Sequence, residues 1–428
     1  MLKSILKKII HTWIISWYHK ILAYLAMIIY LNPSSKLIII GVTGTNGKST
    51  VVNLIGEILN KAGHKTGWTS TTNFSIGDKS WLNDKKMTML GRFQTQSFLK
   101  KCLKEKCKYV VIETSSEGIK QSRHLGINYD IALFTNLTPE HIESHGSFEK
   151  YKEAKGKLFK HLSSRKRKSI DKTIIVNSDD LNADYFLSFK AERKITFSIN
   201  NNSEFKAKNI ELTSNGTIFN LEQETFKTNL LGNVNVYNCL ATISVCKILK
   251  VDDQKIREAL LKYKGVPGRF EFINEGQNFK VMVDYAPEIE SMKKLYETVK
   301  LFKYNKIIHV LGSCGGGRDL ARRPVLGKLA ATNADYVIIT NEDPYNDDPI
   351  EIINQVSLGA ENNGKVLNQN LFKIIDRNEA IKKALSLASP NDLVLITGKG
   401  SEQAICLEHG KKMPWDDRKI VKELLSSK

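Results

Sequence analysis

Short apolar runs alternate along this chain with stretches whose apolar residues recur every three or four positions. Runs at 37–42, 109–113, 131–136 and 173–177 read as buried strands, because they carry too few polar residues to face water on either side. Between the first two, Val51, Leu54, Ile55, Ile58, Leu59 and Ala62 form one stripe at helical spacing, and Gly63 ends it, which predicts a helix over 49–62. Strands alternating with helices are the mark of a parallel sheet covered on both faces. Residues 204–231 alternate in strand fashion about an Asn215-Gly216 turn, and a helix is expected over 236–249. Gly265-Val266-Pro267-Gly268-Arg269 can continue neither element and marks a domain boundary. A second α/β unit follows, with strands expected at 280–284, 306–311, 336–340 and 393–397. The expected division is a segment over 1–36, a central domain over 37–268 and a C-terminal domain over 269–428.

The first 36 residues follow a different pattern. Lys3, Lys7 and Lys8 precede an apolar, aromatic run over 9–31 that contains Trp13, Trp17 and Tyr18 and is broken by His11, His19 and Lys20. Its uninterrupted part is shorter than the ~20 residues of a spanning helix. No small-residue cleavage site follows, which argues against a signal peptide. Three readings stay open: a helix packed on the next domain, an interfacial helix, or a span.

With 428 residues, 41% hydrophobic and 25% charged, the chain has the composition of a folded protein with more than one core. Its formal charge of +19 suits phosphate-bearing ligands or an anionic membrane surface. No aromatic-interleaved basic ribbon accompanies the charge, so a nucleic-acid partner is not expected. The six cysteines show neither Cys-x-x-Cys pairs nor zinc-ligand spacing, which points to reduced thiols and a cytoplasmic location.

Gly41-Val42-Thr43-Gly44-Thr45-Asn46-Gly47-Lys48-Ser49-Thr50 lies between the first strand and the first helix. A glycine-rich turn there lets backbone N–H groups wrap a polyphosphate at the positive end of a helix. Lys48 is suited to the β- and γ-phosphates and the Ser49 hydroxyl to Mg²⁺, so the chain is expected to bind ATP. Val42 stands where the strict phosphate-loop spacing has glycine. Ligands gather beyond the carboxyl ends of parallel strands, which singles out Glu113, Asn136, His141 and Asp284. A carboxylate beside a triphosphate suits Mg²⁺; a histidine is the less usual ligand for so hard a cation.

Thr43-Gly44-Thr45-Asn46-Gly47-Lys48-Ser49 resembles the phosphate loop of the Mur ligase family. The likeness extends to Glu113-Thr114-Ser115-Ser116-Glu117-Gly118, to 134–141, to His145-Gly146 and to Tyr151-Lys152-Glu153-Ala154-Lys155. It continues through 231–238, 266–271, Asp284-Tyr285-Ala286 and Cys314-Gly315-Gly316-Gly317-Arg318-Asp319. The order and spacing are most similar to the MurE type, from about residue 37 to the end.

The resemblance implies an α/β fold: a phosphate-loop ATPase domain with a parallel sheet, then a Rossmann-like α/β domain, here preceded by a hydrophobic N-terminal helix. It implies ATP-dependent addition of an amino acid to a UDP-N-acetylmuramoyl dipeptide through an acyl phosphate, with Mg²⁺. Gly44, Thr45, Asn46, Gly47, Lys48, Ser49, Thr50, Asn235, Asn238 and Arg269 would meet ATP. Ser49, Glu113, His141 and Lys155 would hold metal, Lys155 as a carbamate, and Lys48, Lys155, Glu113 and His141 would carry the chemistry. Thr71, Thr72, Ser115, Gln121 and Arg123 match acceptor contacts, and Arg318, Asp343, Gly398 and Glu402 match contacts to the free amino acid. Four departures stand out. The segment 1–36 occupies the place of the usual UDP-binding domain, which raises contact with the inner face of the membrane and a lipid-linked acceptor as expectations. Glu342-Asp343-Pro344-Tyr345 replaces the Asp-Asn-Pro-Arg of diaminopimelate enzymes. Pro287 replaces a histidine, and so does Glu117. Diaminopimelate is favoured as the added amino acid, with lysine the alternative. Folylpolyglutamate synthetases share the core, but the Thr71-Thr72 and 115–118 segments fit muramoyl ligases better.

Overall fold

The computed structural model describes residues 12–139, 145–286, 288–317 and 320–427. Its strands are β1 (Ile38–Thr43), β2 (Thr66–Thr69), β3 (Asn73–Ile76), β4 (Lys79–Leu82), β5 (Tyr109–Glu113), β6 (Ile131–Phe134), β7 (Thr173–Asn177), β8 (Arg193–Ser198), β9 (Phe205–Thr213), β10 (Gly216–Leu221) and β11 (Glu224–Thr228). They form one sheet of eleven strands in the order β11-β10-β9-β8-β7-β6-β1-β5-β2-β3-β4. The stretch from β9 to β2 is parallel, and each end is extended by antiparallel hairpin strands.

Strand alternation sorts the core into two layers. Ile38, Ile40 and Val42 of β1 face the helices Lys48–Lys61 and Asn233–Ile248. Ile39 faces the opposite way, toward Tyr129, Phe134 and the Leu158, Phe159 and Leu162 stripe of the helix Phe148–Ser163. The helix expected over 49–62 is therefore present, and β5 and β7 have the expected bounds. The strand expected over 131–136 stops at Phe134, because Thr135 and Asn136 turn to serve the phosphate loop.

A second sheet is built from β12 (Glu271–Ile273), β13 (Lys280–Asp284), β14 (Ile307–Leu311), β15 (Tyr336–Ile339), β16 (Leu371–Lys373) and β17 (Leu393–Thr397), ordered β12-β13-β17-β14-β15-β16. All its pairings are parallel except β12 with β13. A buried ion pair braces this sheet: Arg377 grips Asp417 at 2.8 Å through both Nε and Nη2, and Nη2 also donates to the Thr397 carbonyl at 2.7 Å. All six cysteines are buried.

The first described helix, Thr12–Ile29, lies on the outside of the central unit. Ala23 and Ala26 are its buried contact points. They fit because Gly126 lets the backbone approach: a side chain there would begin 2.9 Å from the Ala23 carbonyl. Arg92 Nε donates to the His19 carbonyl at 3.0 Å. Trp17, Tyr18, Ile21, Leu25, Ile28 and Ile29 are exposed. Among the described residues no helix is long and apolar enough to cross a membrane, so the spanning reading of this segment finds no support there.

Candidate active site

The phosphate loop follows β1 and wraps the N-terminus of the helix Lys48–Lys61. Its shape depends on two glycines in the left-handed region. Gly44 has φ +148°, and a Cβ there would lie 2.0 Å from Thr135 Oγ1; Gly47 has φ +83°, and a Cβ there would lie 2.3 Å from Asn238 Oδ1. Residues from the end of β6 hold the loop from outside. The Asn136 carbonyl accepts the Thr45 N–H at 2.8 Å, Asn136 Oδ1 accepts the Asn46 N–H at 2.9 Å, and Thr135 Oγ1 donates to the Asn46 carbonyl at 2.7 Å. Lys48 Nζ donates to the Thr45 carbonyl at 2.6 Å, folded over its own loop.

Glu113 ends β5 and is 1% exposed. Its Oε2 accepts the Ser49 hydroxyl at 2.8 Å and the Thr71 N–H at 2.7 Å, while Oε1 accepts the Thr71 hydroxyl at 2.9 Å. Among the described residues no cationic side chain pairs with it. A buried carboxylate held only by neutral donors, beside a hydroxyl on a phosphate loop, fits Mg²⁺, which takes few protein oxygens and completes its shell with phosphate and water. Lys155, on the helix Phe148–Ser163, is 1% exposed; its Nζ donates to the Gly44 carbonyl at 2.7 Å and lies 4.3 Å from the Tyr151 ring centroid. His141 and Arg318 lie outside the described residues.

These groups line one cleft of about 510 Å³, which Asn235, Asn238, Arg269, Asp284 and Tyr285 also line, Asn238 lying directly beside Gly47 of the loop. Asn238 Nδ2 donates to Asn235 Oδ1 at 2.8 Å, and Asn235 Nδ2 to the Leu231 carbonyl at 2.8 Å. The Arg269 guanidinium sits 4.3 Å from the Tyr285 ring centroid. Asp284 accepts the Phe270 and Ala286 N–H groups, each at 2.8 Å, and burial pushes its carboxyl above the ordinary range.

Thr71 and Ser115 line the cleft, and Ser115 also caps the short helix Ser116–Lys120. The Thr72 hydroxyl is turned into the structure, toward Ser70 Oγ at 2.9 Å and Asn73 Oδ1 at 3.0 Å. Gln121 and Arg123 stand outside the lining, paired through Gln121 Oε1 and Arg123 Nη2 at 2.7 Å. Thr88 was not singled out by sequence, yet it lines the cleft and its hydroxyl accepts from Thr71 Oγ1 at 3.1 Å. No spacing signal links Thr71 and Thr88; a hairpin folds them together.

A separate charged socket lies on the second unit. Lys399 Nζ contacts Asp343 Oδ1 at 2.8 Å and Glu402 Oε2 at 2.6 Å. Lys86, from the loop after β4, contacts Asp343 Oδ2 at 3.0 Å and Glu402 Oε2 at 2.7 Å. The Asp343 carboxyl is held below its ordinary range by Lys399 and Lys86, against the upward push of its own burial. Gly398, at φ +105°, passes beside Glu342, where a Cβ would begin 2.6 Å from Oε2. Lys86 also escaped sequence reasoning, because nothing in its neighbourhood sets it apart from the surrounding lysines.

Comparison with known proteins bears on both regions. The Mur ligase middle-domain pattern matches residues 42–246, and the pattern of the Mur ligase glutamate ligase domain matches residues 268–400. The chain is 36% identical over 412 residues to a UDP-N-acetylmuramoyl-L-alanyl-D-glutamate–2,6-diaminopimelate ligase of Bacillus cereus, covering 95% of this chain and 82% of that protein. It is 34% identical over 418 residues to a UDP-N-acetylmuramyl-tripeptide synthetase of a Roseiflexus species, again covering 95% and 82%. Among solved structures, a UDP-N-acetylmuramoyl-L-alanyl-D-glutamate–2,6-diaminopimelate ligase superposes with a TM-score of 0.61 at 30% identity, over 91% of this chain and 78% of the other. Folylpolyglutamate synthase of Mycobacterium tuberculosis superposes with a TM-score of 0.71 at 16% identity, over 88% and 92%, a likeness of fold alone.

Proposed function

Because this chain belongs to the Mur ligase family, we propose that it is an ATP-dependent amide ligase of the MurE type, adding a diamino acid to UDP-N-acetylmuramoyl-L-alanyl-D-glutamate. The observation that carries this reading is the convergence of Ser49, Thr71 and Lys155 on the phosphate loop and Glu113, in a cleft shared with the second unit.

The reaction needs two anions brought together and a reactive intermediate kept from water. The acceptor carboxylate attacks the γ-phosphorus and the bond to the leaving ADP oxygen breaks. The amine nitrogen then attacks the acyl carbon, the C–O bond to phosphate breaks with its electron pair leaving on phosphate, and the nitrogen gives up a proton. Lys48 and the N–H groups of the loop bind the phosphates, and Asn235, Asn238 and Arg269 position the nucleotide. Ser49 and Glu113 would hold Mg²⁺, which neutralises phosphate charge when bound. Thr71 and Ser115 orient the acceptor. Gln121 and Arg123 act from behind that wall. Asp343, Gly398 and Glu402 receive the free amino acid, diaminopimelate being favoured.

Lys155 is buried against the loop, which suits reaction of its neutral amine with CO₂. The amine would gain a carboxylate, lose one proton and become an anionic metal ligand. Domains over 37–268 and 269–428 would close about the Gly265–Arg269 hinge, shielding the acyl phosphate.

One observation favours a membrane-surface contact at a cytoplasmic location: the apolar face of the helix Thr12–Ile29, exposed and rich in aromatic residues. Flotation with anionic vesicles tests it, and protein left behind in the dense fraction would remove it.

The function itself is tested by phosphate release with ATP, Mg²⁺ and the UDP-muramoyl dipeptide, with diaminopimelate or lysine supplied. Release that depends on one amine is expected. Absence of release with both, from protein that binds ATP, would overturn the acceptor assignment.

A further inference from the structure

The loop between β4 and the helix Arg92–Lys104 serves two sites at once. Asn83 shapes it: its Nδ2 donates to the Ser70 and Met87 carbonyls at 2.9 and 3.0 Å, and its Oδ1 accepts the Lys85 N–H at 2.9 Å. Two positions apart, Thr88 enters the cleft and Lys86 enters the carboxylate socket of the second unit. Lys86 has φ +55°, in the left-handed region that residues other than glycine adopt uncommonly. Its side chain is 9% exposed.

Among the described residues, two ammonium groups meet two carboxylates in the socket. Lys399 and Lys86 face Asp343 and Glu402, and each carboxylate touches both ammonium groups. A free amino acid whose far-end ammonium settles between Asp343 and Glu402 competes for the place of Lys86, the less buried of the two cations. Lys86 then holds a positive charge at a mostly buried point with no anion left to it, which is costly. A far end that carries both an ammonium and a carboxylate supplies that anion itself. Tyr345 offers no permanent charge for the purpose, and its ring packs over Gly316, where a Cβ would lie 2.7 Å from Cδ2.

Resting on the assignment of this socket to the incoming amino acid, we propose that Lys86 is a specificity-determining residue that selects a diamino acid with a zwitterionic far end, by exchanging its contacts with Asp343 and Glu402 for the substrate's distal carboxylate. A loop of the ATP-binding unit thereby reads the substrate held by the other unit.

The test compares meso-diaminopimelate with L-lysine in the full-length chain, by turnover and by calorimetric binding. In Lys86→Met the ratio of kcat/KM for the two amino acids should fall by about tenfold or more, through the KM for diaminopimelate with kcat little changed. Lys86→Arg, which keeps the charge, should retain the preference. Equal losses for both amino acids in Lys86→Met would make Lys86 a clasp between the units and overturn the proposal, as would an unchanged ratio. Glu402→Gln separates the underlying reading: it should raise the KM or Kd of both amino acids. If it moves neither, the socket is not the amino-acid site, and the proposal falls with that assignment.

Discussion

The Ser49 hydroxyl donates to Glu113 Oε2 at 2.8 Å, tying the first turn of the phosphate-loop helix to the end of β5. The same oxygen accepts the Thr71 N–H, so one carboxylate joins three segments far apart in sequence. Glu113→Gln replaces an acceptor oxygen by an amide donor facing a hydroxyl and an N–H. ATP-dependent phosphate release should fall by roughly 10²–10³-fold, the scale of losing one preorganised electrostatic contact. The Mg²⁺ concentration for half-maximal rate should rise as well. A magnesium titration of both proteins checks this, and an unchanged midpoint would place the metal elsewhere.

Lys155 separates packing from chemistry. Lys155→Met keeps most of the buried volume and Lys155→Ala does not, yet both should cripple turnover if the nitrogen is what matters. Short-chain carboxylates should partly restore the alanine variant, by entering the space where a carbamate would stand, and leave the methionine variant inactive. Rate measurements with and without acetate or propionate decide it.

Much of this was legible from the pattern of residues. The first strand, the phosphate loop and its helix follow from unbroken apolar runs, two required glycines and one stripe, all of them local signals. What stayed hidden depends on long-range folding. Thr88 reaches Thr71 through a hairpin, and Lys86 meets Asp343 and Glu402 across 257 and 316 residues of chain. The resemblance marks Thr71 and Thr72 alike, but both lie in the bend between β2 and β3, where the Thr72 hydroxyl is tied to Ser70 and Asn73 and only Thr71 lines the cleft. The strand expected to reach Asn136 is shorter because two of its residues hydrogen-bond the loop, a demand invisible in hydrophobicity.

The Arg377–Asp417 pair, both members 2% exposed or less, is a stability element away from the cleft. Asp417→Ala leaves a buried guanidinium without its anion and should cost about 3–5 kcal/mol. Urea unfolding should show a lower midpoint, while the KM for ATP in the folded fraction is unchanged.

Three buried histidines make stability depend on pH. Burial lowers His124 and His309 to about 3 and His161 to about 4, from an ordinary 6.5. Their folded forms stay neutral where the unfolded chain takes up protons, so their contribution is complete above about pH 6.5 and is lost as pH falls toward 4 and then 3. The urea midpoint should be lower at about pH 5 than at about pH 7.5. His309→Gln should flatten that difference, and an identical slope in the variant would assign the pH dependence to other groups.

The burial of all six cysteines gives the native surface a silent background toward thiol-reactive dyes. Lys85 and Lys412 are exposed, one on each unit, so a cysteine at each would take a donor and an acceptor fluorophore without removal of any native sulfur. The protein can thus carry its own molecular ruler, able to follow the approach of its two halves in real time as nucleotide and acceptor are added.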